Sequence, residues 1–115
     1  MTLKQIVENL QLTALTPELA PGDAAQISAA HASDLLSDVL ANAPGGGLLL
    51  TIQVHLNVIA VALHAGLAAV IFTSGLEPEE AVRAKAREEG LPLFATRLST
   101  FDLAGRLYAL GIRGR

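Results

Sequence analysis

The spacing of apolar and polar positions divides the chain into short helical and extended segments with clear breaks between them. Leu3, Ile6, Val7 and Leu10 recur at helical spacing behind Thr2 and Gln5, a capping-box pair, and predict a short first helix. QLTALT (11–16) alternates weakly and reads as a short strand, followed by a turn-rich loop around Pro17, Pro21 and Gly22. AAQISAAHA (24–32) is the next strand candidate, built from residues small enough for close approach by a helix or a second copy. SDLLSDVLANAPGGG (33–47) predicts a helix with Ser33 as N-cap, Leu35, Leu36, Val39 and Leu40 on its apolar face, and a stop at Pro44 and the glycines.

From there the pattern repeats. LLLTIQ (48–53) and LAAVIFT (67–73) are apolar strand runs, separated by a helix over NVIAVALHAG (57–66) that closes at Gly66. Pro78, taken as the first helical position, opens PEEAVRAKAREEG (78–90), where Glu79 and Arg83 stand at i,i+4 spacing. LPLFAT (91–96) predicts a short strand, and Ser99 with Asp102 resembles a capping box ahead of FDLAGRLYALG (101–111). The tail IRGR is expected to fray. From residue 24 the order is β-α-β-α-β-α-β-α, which implies a three-layer α/β sandwich: a mostly parallel sheet covered by helices.

At 115 residues, with 51% hydrophobic content, the chain is expected to form a single domain, residues 1–115. Aromatic residues supply only 3%, so the core must come from Ala, Leu, Val and Ile, and the Ala-rich layers also suit subunit contacts. A formal charge of −3 leaves no basic face for phosphate backbones, so nucleic acid is not an expected partner. There is no cysteine, which excludes disulfides and thiolate-held zinc or iron-sulfur centres and leads us to expect a reduced cytoplasm. The first ten residues lack the basic-then-apolar layout of a signal peptide, and no apolar run reaches membrane-spanning length, so no membrane association is expected.

In open α/β sheets, ligands sit outside the carboxyl ends of the strands. The polar residues collect there: Ser33 and Asp34 after the second strand, Gln53, His55 and Asn57 after the third, Thr73 and Ser74 after the fourth, Thr96 and Arg97 after the fifth. These nine form the candidate ligand-binding set. Ser33, Ser99 and Thr100 have an ordinary explanation as N-caps, whereas Gln53, His55 and Arg97 are not caps by type and weigh more. Thr73-Ser74-Gly75 is an anion candidate because a small-residue loop before a helix exposes backbone N–H groups, with Arg97 as the cation. His31, Asp34 and His55 would make a metal set only if two strands are adjacent, and no spacing within one element enforces it; neither a metal nor a cofactor is expected. His64, near a helix C-terminus, reads as structural. PGGGLLLT (44–51) is a turn, since its glycines precede a strand and no Gly-Lys-Ser/Thr follows. No nucleophile stands with a base and an orienting group, so an enzyme using His55 as general base is the weakest alternative.

SDLLSDVL, TIQVHLNVIAVA, GLAAVIFTSGLEPEEAVRAKAREEGLPLF and TRLSTFDLAGRLYALG together resemble the small stand-alone DRTGG-domain proteins of bacteria, over nearly the whole chain. Related modules occur in phosphotransacetylases, in CBS-containing pyrophosphatases and, more distantly, before the catalytic domain of HPr kinase. The resemblance implies an α/β regulatory or assembly domain, commonly dimeric, without catalysis of its own, and in stand-alone members an association with hydrogenase-type enzymes. The eponymous Asp-Arg-Thr-Gly-Gly stretch is missing, and Gln53-Val54-His55-Leu56-Asn57 occupies its place. Gln53, His55 and Asn57 are therefore the first-choice site of a non-catalytic module that binds a small anionic metabolite or nucleotide and acts through a partner or as a homodimer. The alternative is a purely structural protein-interaction domain of a hydrogenase-type complex.

Overall fold

The computed structural model describes residues 1–19, 21 and 26–114. Helix α1 (Leu3–Leu10) starts on the predicted capping box: the Gln5 amide donates to Thr2 Oγ1 at 3.2 Å and the Thr2 amide to Gln5 Oε1 at 2.9 Å. Strand β1 (Thr13–Ala14) and the strands β2 (Ala30–Ala32), β3 (Leu48–Thr51), β4 (Ala69–Phe72) and β5 (Leu93–Ala95) form one sheet in the order β1-β5-β4-β3-β2. The pairs from β2 to β5 are parallel, and β1 joins β5 antiparallel, with Thr13 opposite Ala95. Between them run α2 (Leu36–Asn42), α3 (Asn57–His64) and α4 (Glu80–Glu89), and α5 (Thr100–Ala109) follows β5.

Each crossover from β2 to β5 steps one strand in the same direction, so right-handed connections place α2, α3 and α4 on one face. Val39, Val58, Ile59, Ala62, Val82 and Ala86 of those helices pack on Leu49, Val70, Phe72, Leu93 and Ala95. No parallel strand follows α5, which crosses to the other face beside α1; Leu3, Ile6, Leu103 and Leu107 cover Leu48, Leu50, Ala69, Ile71 and Phe94 there. Residues of β3 and β4 are buried on both faces, which is why these strands read as unbroken apolar runs. The expected three-layer sandwich is the fold.

Several boundaries differ from the sequence expectations. The strand expected over 24–32 is regular only at Ala30–Ala32, and residues 24 and 25 lie outside the described residues, as does Gly22 of the turn-rich loop. α2 begins at Leu36, with Leu35 and not Ser33 at the N-cap position, because the Ser33 hydroxyl bonds within its own turn to Leu35. β3 stops at Thr51, two residues before Gln53. α4 starts at Glu80 with Glu79 as N-cap, so Pro78 precedes the helix; Arg83 reaches back to Glu77 at 2.8 Å and to the Pro78 carbonyl rather than pairing with Glu79. The tail does not fray as expected over Ile112 and Arg113: Ile112 is buried, and Arg113 exchanges backbone hydrogen bonds with Ser28 and Ala30.

Candidate functional site

The polar residues at every second position from Thr51 to Asn57 have a local structural cause. Thr51 Oγ1 accepts the Gln53 amide at 3.0 Å, Gln53 Oε1 accepts the His55 amide at 3.2 Å, and His55 Nδ1 accepts the Asn57 amide at 3.1 Å. Each side chain caps the backbone two residues ahead, pairing the Gln53, His55 and Asn57 amides as the chain passes from β3 into α3. Because Nδ1 of His55 accepts, its ring proton belongs on Nε2, which is then a donor to the outside. Gln53 likewise keeps its NH2 group for an external partner.

Gln53, Val54, His55 and Leu56 form one wall of an open groove of about 490 Å³, and Glu79, Ala81 and Val82 at the start of α4 form the other. The β4–α4 connection runs longer than the sequence pattern indicated, and that extra length is what carries Glu79 across to the β3–α3 turn. Glu79 was missed for this reason; a helix start at Pro78 leaves it inside the first turn. Asn57, the third first-choice residue, starts α3 but does not line this groove.

The other clusters are placed differently. Asp34 Oδ1 accepts from Thr51 Oγ1 at 2.9 Å and from the Ile52 amide at 2.8 Å, tying the β2–α2 turn to the end of β3. His31 bonds through Nε2 to Asp38 Oδ2 at 2.7 Å and not to Asp34 or His55. Hydrogen bonds from Asn42 and then His31 hold the Asp38 carboxyl at about 2, against an ordinary 3.8. Among the described residues, no three His, Asp or Glu side chains gather in a metal-holding group. His64 lies in the last turn of α3, as read.

The expectation of exposed N–H donors at Thr73-Ser74-Gly75 is overturned. The Thr73 amide donates to Thr51 O at 3.1 Å, Ser74 to Leu98 O at 2.7 Å, and Gly75 to Thr96 O at 3.0 Å, so every backbone N–H of the loop is used. Thr73 is itself buried, its hydroxyl 2.6 Å from that of Thr100. The loop binds the β5–α5 turn instead of an anion. In that turn Ser99 caps α5 as expected, its Oγ accepting the Asp102 amide at 3.1 Å. Thr96 and Arg97 line a second recess, separate from the His55 groove. The four clusters thus share one edge of the sheet but do not converge on one pocket.

The DRTGG domain family matches residues 3–110. The chain belongs to that family. Among solved structures, the CBS and DRTGG domains of the regulatory region of a Clostridium perfringens pyrophosphatase, complexed with the activator diadenosine tetraphosphate, superpose with a TM-score of 0.71 at 16% identity. The match covers 96% of this chain and 47% of that one, so the domain spans about half the length of its structural neighbour. No curated protein matches the chain. No helix among the described residues is long and apolar enough to cross a membrane.

Proposed function

We propose that this DRTGG domain is a ligand-responsive regulatory module that takes a nucleotide or a similar small anionic metabolite at the carboxyl edge of its sheet. The observation that carries the reading is the groove beside Gln53 and His55, in the stretch that the resemblance sets in the place of the family's eponymous motif. Its walls combine apolar Val54, Leu56, Ala81 and Val82 with the Gln53 amide, the His55 ring proton and the Glu79 carboxylate. A flat heteroaromatic base with ring acceptors and an exocyclic amine matches that mixture of apolar surface and sparse polar groups. Of the other candidate residues, Asn57, Ser33, Asp34, Thr73 and Ser74 belong to the loops that shape the edge, and Arg97 brings positive charge to the same edge in the separate recess it lines with Thr96. The structural neighbour, whose complex includes a dinucleotide activator, is in keeping with this reading.

The test is thermal unfolding of the protein with a panel of adenine and guanine nucleotides. A ligand at a hundred times its Kd adds about 2.7 kcal/mol to stability. The expected result is a raised Tm for at least one nucleotide, lost in His55→Ala and Gln53→Ala; an unchanged Tm across the panel refutes the reading.

A second reading, action through protein contact as a homodimer or on a hydrogenase-type enzyme, draws support from a different feature. Leu35, Ile52, Leu56, Leu76 and Phe101 stand exposed at the same edge, Phe101 to 86%. An apolar rim of this kind suits a protein partner.

A further inference from the structure

Among the described residues, most basic side chains are already engaged. Arg83 pairs with Glu77, Lys85 with Glu88 and Glu89, and Arg87 with Glu18 and Glu80, while Arg113 stacks on the Tyr108 ring. Arg97 and Arg106, like Lys4 in α1, form no ion pair among the described residues, and the two arginines line one groove of about 420 Å³. The remaining polar groups on its walls are Gln11, Thr13 and Thr96, with Leu10 and Leu98 beside them. The side chains of Gln11 and Thr13 make no hydrogen bond among the described residues, and the Thr96 hydroxyl accepts from the Leu98 amide, leaving its proton to donate. A second recess of about 220 Å³ shares Thr13, Thr96 and Arg97 with this groove and continues it toward Gly75; the one acid on its wall, Glu77, is committed to Arg83.

The place in the fold is equally specific. Helix α4 leaves β4 for one face and α5 leaves β5 for the other, so the sheet's only parting of helices at a carboxyl edge lies between β4 and β5. Open α/β sheets form ligand crevices at such a parting; here the smaller recess at Gly75 adjoins it, and the Arg97 groove continues that recess on the β1 side of β5. The turn bearing Arg97 is held on both sides, by the Ser74 amide on Leu98 O and the Gly75 amide on Thr96 O. Ser74 adopts φ 61° and Gly75 φ 74° to make those bonds, an uncommon conformation for serine. Arg97 is thereby presented from a fixed backbone, which lowers the entropy lost on binding.

We infer that Arg97 and Arg106, with the hydroxyls of Thr13 and Thr96 and the Gln11 amide, form a phosphoryl-anion site. Two guanidinium groups and two hydroxyl donors offer a phosphate or diphosphate group charge-assisted hydrogen bonds with no carboxylate competing for them. The site is distinct from the His55 groove and does not depend on that groove binding anything.

The experiment is a titration of the protein with inorganic pyrophosphate at low ionic strength, followed by amide chemical shifts, with sulfate in parallel. The expected result is saturable shifts centred on Gln11, Thr13, Thr96, Arg97 and Arg106, weaker with sulfate. Arg97→Gln and Arg106→Gln should each weaken pyrophosphate about tenfold, and both are exposed, so the variants keep the parent spectrum elsewhere. Non-saturating shifts spread over the surface, or shifts unchanged in the double variant, overturn the inference. Shifts confined to Gln53 and His55 overturn it too, while supporting the nucleotide groove; pyrophosphate binding at Arg97 without any nucleotide effect at His55 does the reverse.

Discussion

Thr51 shows how one side chain can serve both the sheet and its edge. It is fully buried at the end of β3, accepts the Gln53 amide and donates to Asp34, so two turns depend on one hydroxyl. Thr51→Val keeps the shape and removes both bonds, leaving a backbone amide and a carboxylate oxygen short of a partner. Chemical denaturation should report a loss of about 1–3 kcal/mol. Asp38 makes a separate prediction in acid. Its folded pKa of about 2 lies below the ordinary 3.8, so the bonds from Asn42 and His31 stabilise the protein above pH 3.8. That contribution is lost as the pH falls from there toward 2. Asp38→Asn should flatten the stability profile in this window relative to the parent, as followed by denaturant midpoints. Residue-scale features were legible in the sequence where the partner is a near neighbour. The Thr2–Gln5 box and the Ser99 cap are correct because three residues separate donor from acceptor, whereas Asp34 bonding Thr51 across 17 residues had no local signature.

The elements follow the same logic. Apolar period and length identify β3, β4, α3 and α5, since central parallel strands and covering helices leave strong, different patterns. Their ends were read less well, because side chains from neighbouring connections decide where pairing stops. The Ser33 hydroxyl turns back on Leu35 and delays α2; the β4–α4 connection spends Ser74 and Gly75 on the β5–α5 turn and delays α4 to Glu80. Nothing in the composition of Thr73-Ser74-Gly75 separates a loop that donates to an anion from one that donates to three carbonyls. The left-handed Ser74 gives this connection a measurable property. Ser74→Gly relieves the side-chain penalty at φ 61° and should leave stability unchanged or raise it by up to about 1 kcal/mol, set against the greater freedom of glycine in the unfolded chain. Gly75→Val, at φ 74°, should lower it and displace the Thr96 and Arg97 amide resonances together, since the Gly75 amide holds the Thr96 carbonyl.

At the scale of the molecule, the edge that carries both grooves is also where large apolar side chains meet water. Leu35, Ile52, Leu56 and Leu76 come from three successive connections and Phe101 from the first turn of α5, and only Leu40, Leu63 and Tyr108 are comparably exposed elsewhere among the described residues. The shared placement is a consequence of the topology: parallel strands stepping one way across the sheet bring every strand-to-helix turn to the same side. A rim with five exposed apolar residues around sparse charge is poorly suited to water and well suited to a second protein surface. If that surface is another copy of this chain, the contact is symmetric, and a charge placed on Phe101 faces its own image or the apolar rim of the partner. Phe101→Asp and Leu35→Asp should then sediment as monomers under conditions where the parent is a dimer. Both positions are exposed, so their Tm should stay within the range of ordinary surface substitutions, about 0.5 kcal/mol of the parent fold. Variants that sediment as the parent does would remove the rim from the dimer interface. A parent that stays monomeric at high concentration would leave the rim to a different protein. Leu56 belongs both to the rim and to the wall of the His55 groove, so wherever the rim is the contact, occupancy of that groove and engagement of a partner would influence each other reciprocally.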